Sequence, residues 1–151
     1  MKILLLILGV FLITPIDNSP INKTLNHQNL YDILLEYDVK YPDVVFAQAL
    51  LETGNFTSYL CKKQNNLFGM KIPYKRETTA IGKNKSGYAK YSSWHDSVQD
   101  YLLFQNYVMR KKEMTREEYL SYIGKYYAAD KKYLIKIKSK IKEYKELFIK
   151  I

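Results

Sequence analysis

Apolar residues recur at helical spacing along most of the chain. Between residues 27 and 38 they fall at steps of three and four, which predicts a helix. A second helix is predicted over 42–53, because Pro42 suits a first helical turn and Gly54 suits the position after the last one. A shorter helical segment is expected over 58–63.

The C-terminal half carries three further helical patterns. Ser93 suits the N-cap of a helix that runs to about Val108, and Thr115 opens a capping box for the next helix. Asp130 is the expected cap of the last helix, whose apolar residues form one continuous stripe. The stripe consists of Leu134, Ile137, Ile141, Tyr144, Phe148 and Ile151.

Residues 71–92 break the helical pattern. They contain the β-formers Thr78, Thr79 and Ile81, and the segment Lys83–Gly87 is typical of a turn. We therefore predict a small β-hairpin lobe inserted among the helices. The expected fold class is α+β, mostly helical.

The chain begins with a basic residue and a short apolar run. Lys2 precedes the 11 residues Ile3 to Ile13, which are interrupted only by Gly9. A membrane-spanning helix needs about 17–25 apolar residues, so this run is typical of a signal peptide or an N-terminal anchor over residues 1–19. We expect residues 20–151 to form an exported domain in the periplasm, the cell envelope or the extracellular space.

Composition and charge restrict the partners. The 151 residues fit one domain, expected to be a monomer, and 47% of them are hydrophobic, enough to build a core. One cysteine and two histidines exclude a disulfide framework and a Cys/His zinc cluster, and no metal or organic cofactor is predicted. The net charge of +9 points to nucleic acid, a membrane or an anionic wall polymer. No nucleic-acid-binding motif is found, so a nucleic-acid partner is not predicted.

The positive charge is concentrated in two segments. Residues 71–90 carry six basic residues and one acid, a net +5, and residues 131–151 carry eight lysines and two glutamates, a net +6. All other residues together therefore carry a net −2. The basic last helix leaves peripheral membrane association open as an alternative to packing on the core.

Glu52 is the sharpest candidate for chemistry. It lies in the last turn of the very apolar second helix, where burial and the helix dipole both disfavour its charged form. Both effects raise its pKa, which is what a general acid needs near neutral pH. The alternative interpretation is a solvated glutamate at a helix end.

Four motifs in order carry a family resemblance. They are AQALLETG at 47–54, NNLFGMK at 65–71, GYAKYSSW at 87–94 and YAADKKY at 127–133. Over about residues 26–148 the chain resembles the bacterial glucosaminidase domains of glycoside hydrolase family 73, in the lysozyme superfamily. The resemblance implies a lysozyme-like fold with a groove between a helical lobe and the β lobe. It also implies cleavage of the N-acetylglucosaminyl-β-1,4-N-acetylmuramyl bond of peptidoglycan glycan strands.

The resemblance also implies site residues. Glu52 falls on the family's catalytic acid, and Tyr91 and Tyr127 fall on aromatic positions that line its cleft. Asn66 and Phe68 are assigned to the substrate-binding region, where they are expected to shape the turn behind Glu52 more than to touch sugar. Core packing is the alternative interpretation for the two tyrosines.

The second catalytic group is marked less clearly. Between Thr53 and His95 the only acid is Glu77, which is the candidate base or nucleophile. An exposed residue paired with a cation is the alternative, in which case the 2-acetamido group of the substrate is available as nucleophile. A muramidase, a lytic transglycosylase and a non-catalytic wall-binding module remain open, although the turn Asn66–Gly69 favours a glucosaminidase.

Overall fold

The computed structural model describes residues 23–127 and 130–149. The predicted signal peptide or anchor at residues 1–19 and the last stripe residue, Ile151, lie outside this part of the chain. The helices are α1 (His27–Glu36), α2 (Pro42–Thr53), α3 (Tyr59–Gln64), α4 (Trp94–Met109), α5 (Arg116–Tyr126), α6 (Tyr133–Glu143) and α7 (Lys145–Ile149), and the strands are β1 (Gly82–Lys83) and β2 (Ala89–Lys90).

Helix α2 lies at the centre of the fold because it is apolar on nearly all sides. Every residue from Val44 to Leu50 is buried, and α1 and α6 pack against the helix. Its predicted ends are confirmed: Pro42 occupies the first turn, and Gly54, with φ of 54°, provides a left-handed cap. The helix therefore carries its last turn to the edge of the core.

Side-chain N-caps begin three other helices, and the two that were predicted, Ser93 and Thr115, are confirmed. The Ser58 side chain caps α3, and Ser93 and Thr115 form capping boxes with Asp96 and Glu118 at the starts of α4 and α5. Each cap satisfies backbone N–H groups that have no partner within the helix and contributes about 1 kcal/mol. The first predicted helix is likewise confirmed as α1.

The prediction of one C-terminal helix capped by Asp130 is wrong in two respects. Asp130 precedes the helix, where its carboxylate accepts a hydrogen bond from the Lys132 N–H at 2.8 Å, and α6 begins only at Tyr133. The helix is also interrupted at Tyr144, which has φ of −103° and ψ of 15°. An apolar stripe predicts which side of a helix packs on the core, but not whether the helix is continuous. Tyr144 still packs on the core, where its ring contacts that of Phe46 with 5.3 Å between centroids.

The predicted β-hairpin lobe is present, with very short strands. β1 and β2 pair antiparallel, and an isolated bridge joins Lys71 to Tyr88. The β-former Thr79 lies outside the strands, and its hydroxyl donates to the Asp96 carbonyl at 2.6 Å. That hydrogen bond fastens the loop before β1 to α4.

The predicted α+β, mostly helical architecture is confirmed. Its helical part is built around α2, and its β-hairpin lobe lies between α3 and α4 in the chain. Within residues 23–127 and 130–149, no helix combines the length and the hydrophobicity needed to cross a membrane.

Candidate active site

A cleft of about 770 Å³ opens where the end of α2 meets the β-hairpin lobe. Its walls come from α2, the turn after α3, the β-hairpin lobe, α4 and the end of α5. Of the described residues that line it, Glu52 is the one acid, and Lys71 and Arg76 are the basic ones. No group of three His, Cys, Asp or Glu side chains suited to a metal ion occurs among the described residues.

Glu52 lies in the last turn of α2 and is partly buried in the cleft wall. Burial raises the pKa of its carboxyl group, and a hydrogen bond from Tyr133 acts in the opposite direction more weakly. The expected direction of the pKa shift is therefore confirmed. A carboxyl group in this setting keeps its proton to higher pH than a solvated glutamate, as a general acid requires.

A chain of buried hydrogen bonds ends on Glu52. The Tyr133 hydroxyl donates to Glu52 Oε1 at 3.0 Å and accepts from Gln48 Nε2 at 3.3 Å. Gln48 Oε1 in turn accepts from Tyr101, whose hydroxyl contacts that of Tyr119. Burial raises the pKa of the Tyr133 hydroxyl, so Tyr133 stays protonated and remains a donor to Glu52. This series of hydrogen bonds therefore fixes Glu52 Oε1 as an acceptor.

The second carboxyl oxygen of Glu52 lies beside Gly69. A Cβ atom at Gly69 would lie 3.3 Å from Glu52 Oε2, and Gly69 has a left-handed φ of 62°. A side chain there would be strained and would crowd the carboxyl group. Because Oε1 is occupied by Tyr133, Oε2 is the oxygen left to carry a proton.

Asn66 organises the turn behind Glu52 from the interior, since it is only 1% exposed. Its side-chain nitrogen donates to the carbonyls of Met70 and Ala89, each at 2.9 Å. Its side-chain oxygen accepts from the N–H groups of Phe68 and Met70. These contacts fix the turn that contains Gly69 and join it to β2.

Phe68 and Tyr127 both line the cleft. The Tyr127 hydroxyl donates to the Phe68 carbonyl at 2.6 Å, and the Phe68 ring packs 4.3 Å from that of Tyr101. The Tyr127 ring stacks on that of Tyr133, with 6.2 Å between centroids. Tyr127 thus contacts both the turn that contains Phe68 and Tyr133, the hydrogen-bond donor to Glu52.

Tyr91 lies in the interior and is absent from the cleft lining that the structure describes, unlike the expected position. It is 3% exposed, and its hydroxyl donates to Asp100 at 2.7 Å. Arg76 donates to both oxygens of the same carboxylate, at 2.7 and 3.2 Å. Tyr91 and Arg76 therefore share the buried Asp100 carboxylate.

Glu77 lies on the exposed loop before β1. It does not belong to the described cleft lining, whereas its neighbour Arg76 does. The Arg76 guanidinium donates to the Glu77 carbonyl at 2.7 Å while it binds Asp100. The structure therefore does not bring the two candidate carboxylates, Glu52 and Glu77, together in the cleft.

Sequence reasoning assigned no role to Gln48, Tyr133 or Arg76. Gln48 had a usable signal, because it is a polar residue on an apolar helix, one turn before Glu52 and on the same face. Tyr133 belongs to a quoted motif, but only the packing of α6 on α2 shows that it reaches Glu52. Arg76 had no signal, since its partner Asp100 lies 24 residues away.

Comparison with known sequences gives one family and two curated relatives. The family model described as "Glucosaminidase: Mannosyl-glycoprotein endo-beta-N-acetylglucosaminidase" matches residues 27–146. "Protein bax" of Escherichia coli (strain K12) is 42% identical over 73 residues, which make up 48% of this chain and 26% of that protein. "Exo-glucosaminidase LytG" of Bacillus subtilis (strain 168) is 31% identical over 115 residues, 64% of this chain and 41% of LytG. The chain thus spans less than half the length of either relative.

The solved structures similar to this chain include two with TM-scores above 0.5. The catalytic domain of the autolysin Auto from Listeria monocytogenes has a TM-score of 0.53 at 23% identity, covering 86% of this chain and 91% of that one. An N-acetylmuramoyl-L-alanine amidase from Staphylococcus aureus has a TM-score of 0.58 at 28% identity, covering 80% of this chain and 40% of that one. Both confirm the predicted lysozyme-like fold. With the family match extending over most of its length, the chain belongs to the glucosaminidase family.

Proposed function

We propose that this protein hydrolyses the glycan strands of peptidoglycan, with Glu52 as the general acid. The observation that carries the proposal is the partly buried Glu52 carboxyl group, which has a raised pKa and lies in the wall of a cleft of about 770 Å³. Family membership and the likeness to LytG, which is named an exo-glucosaminidase, support the same substrate class.

The bond we propose is the β-1,4 bond from N-acetylglucosamine to N-acetylmuramic acid. Glu52 Oε2 gives its proton to the glycosidic oxygen as the bond to the sugar C1 breaks. Tyr133 holds Oε1, so the proton is kept on the oxygen beside Gly69. The rings of Tyr122 and Tyr126, which line the cleft with Tyr127, offer apolar faces for stacking on sugars.

For the second group we propose the 2-acetamido group of the substrate. Its carbonyl oxygen bonds to C1 as the leaving group departs, and water then opens the resulting ring while the Glu52 carboxylate takes the water proton. The position of Glu77 outside the described cleft lining favours this route. Glu77→Gln should therefore keep kcat/KM close to that of the wild type, because its side chain lies outside the described cleft lining, whereas loss of a base costs about 10²–10⁴-fold. A loss of that size would assign the role to Glu77.

Replacement of the general acid gives the direct test. Glu52→Gln should lower hydrolysis of purified peptidoglycan by about 10²–10⁴-fold, since the amide retains the shape but has no acidic proton. Reducing-end release from soluble glycan measures the effect. Glu117→Gln, a change at an exposed first-turn acid of α5, is the matched control and should retain activity. A fully active Glu52→Gln protein would contradict the mechanism.

Mass spectrometry of the digested muropeptides identifies the bond. A reducing N-acetylglucosamine end supports the proposal. A reducing N-acetylmuramic acid end would show a muramidase, and an anhydro end a lytic transglycosylase. Binding to cell walls without any product would show a wall-binding module.

We also propose that the protein acts as an exported monomer at the cell envelope or outside the cell. The peptidoglycan substrate of the proposed reaction supports this location. Whether residues 1–19 are a cleaved signal peptide or a retained anchor stays a prediction, as does peripheral membrane association. Cell fractionation followed by mass measurement of the mature protein tests the location and the cleavage together.

A further inference from the structure

A second concavity adjoins the cleft, and we name it the side groove. Its volume is about 490 Å³, and it lies between the loop at residues 73–76, the second half of α4 and Tyr122 of α5. Pro73, Arg76, Phe104 and Tyr122 line both the cleft and the side groove. A ligand in the cleft can therefore extend into the side groove without leaving the protein surface.

The side groove is basic. Lys75, Arg76 and Arg110 line it, and no acid occurs among its described lining residues. Arg76 is bound to Asp100 through a short ion pair. Lys75 and Arg110 form no ion pair with any residue in the described part of the chain, so two positive charges remain available to a ligand.

Arg110 is held in place by Tyr107 and pairs with no described carboxylate. Its guanidinium lies 3.8 Å from the centre of the Tyr107 ring and donates to the Tyr107 carbonyl. Stacking on an aromatic ring leaves other N–H groups of the planar guanidinium free for a carboxylate. Tyr74, which is 99% exposed and adjoins Lys75 in the chain, also lines the side groove.

We propose that the side groove binds the acidic stem peptide that peptidoglycan carries on its muramyl sugars, an inference that rests on the proposed function. The stem peptide is attached to the sugar next to the bond to be cut, and the side groove shares a wall with the cleft that contains Glu52. Two free cations match peptide carboxylates, whereas neutral sugar hydroxyls require neither charge. The side groove thus makes the protein prefer glycan with acidic stems.

The experiment compares two ligands that differ only in the stem carboxylates. Soluble GlcNAc–MurNAc tetrasaccharides carry stem peptides with free carboxylates or with the same groups converted to primary amides. Dissociation constants are measured on the full chain with Glu52→Gln, which prevents turnover. We expect about tenfold tighter binding of the acid form, equivalent to one good charge-assisted contact. Lys75→Ala with Arg110→Ala should reduce this preference to near one.

A second pair of substitutions controls for general charge loss. Lys138→Ala with Lys142→Ala removes two exposed lysines from α6 and should leave the tenfold preference in place. A preference that is absent at the outset, or that survives loss of Lys75 and Arg110, would overturn the proposal. So would an equal loss of affinity for both ligands, which would identify a glycan subsite.

Hydrolysis is measured separately on the unsubstituted chain. Cleavage without a carboxylate preference would refute the side groove and leave the proposed function standing. A carboxylate preference without cleavage would refute the proposed hydrolysis and leave stem-peptide binding standing. The two proposals therefore fail in distinguishable ways.

Discussion

The Tyr133 hydroxyl influences the pH at which Glu52 loses its proton. It donates to Oε1 at 3.0 Å, which stabilises the carboxylate and lowers the Glu52 pKa, against the larger opposing effect of burial. Tyr133→Phe removes the lowering contribution and leaves burial in place. The Glu52 pKa must then rise, so the protonated acid persists to higher pH. We expect the alkaline limb of the kcat/KM profile to move to higher pH.

A pH–rate profile on soluble glycan measures this shift. Tyr31→Phe is the matched control, because Tyr31 is also buried but packs on Phe46 from α1. Tyr31→Phe should leave the alkaline limb of the kcat/KM profile at the wild-type pH. An unchanged limb in Tyr133→Phe, or a move to lower pH, would show that the hydrogen bond does not stabilise the Glu52 carboxylate.

The Glu52 environment was only partly predictable. Burial of its carboxyl group followed from one glutamate at the end of an apolar helix that stops at Gly54. The donor to that carboxyl group lies 81 residues further along, and no local pattern specifies such a contact. The inward position of Tyr91 was unpredictable for the same reason, because its hydroxyl shares the buried Asp100 carboxylate with Arg76.

The β-hairpin lobe is fastened to α4 by a buried ion pair. Asp100 on α4 is fully buried, and the Arg76 side chain from the loop before β1 is 9% exposed. Removing one member of such a pair leaves an uncompensated buried charge, which costs about 3–5 kcal/mol. We expect Asp100→Asn to lower the free energy of unfolding by that amount in urea denaturation.

The chain offers a matched comparison for this pair. Asp43 pairs with Arg116, but these side chains are 22% and 36% exposed, so solvent screens the interaction. Asp43→Asn should therefore cost at most about 1 kcal/mol. Equal losses in the two variants would mean that burial does not set the strength of the Asp100 pair.

Elements with local signals were predicted better than elements fixed by packing. Helix α2 has Pro42 and Gly54 at its ends, and both boundaries follow from backbone preferences of single residues. The break at Tyr144 has no glycine or proline to announce it, and an apolar stripe continues across it. The strands have two residues each, and the β-former Thr79 lies outside them with its hydroxyl bound to α4, a contact that no local pattern indicates.

The two basic segments of the molecule differ in how far their charge is neutralised. On the C-terminal helices, Lys136, Lys140 and Lys145 each pair with an acid. In the β-hairpin lobe, the lysines at 71, 75, 83, 85 and 90 form no ion pair with any described residue. The sequence predicted where the charge lies, but the pairing depends on the folded geometry. Among the described residues, five lysines without an ion pair therefore lie in the lobe beside the cleft, and Lys131, Lys132, Lys138 and Lys142 of the C-terminal segment also have none.

Removing charge from each segment tests whether the lysines of the β-hairpin lobe bind the cell wall. Replacing Lys83, Lys85 and Lys90 by alanine should weaken binding to insoluble cell walls several-fold at low salt, because these charges lie in the lobe that forms one side of the cleft. Replacing three exposed lysines of the C-terminal segment, Lys131, Lys138 and Lys142, should have a smaller effect. At about 1 M salt, where the screening length is about 3 Å, the two variants should bind alike. Equal weakening at low salt would mean that the wall responds to total charge and not to charge beside the cleft.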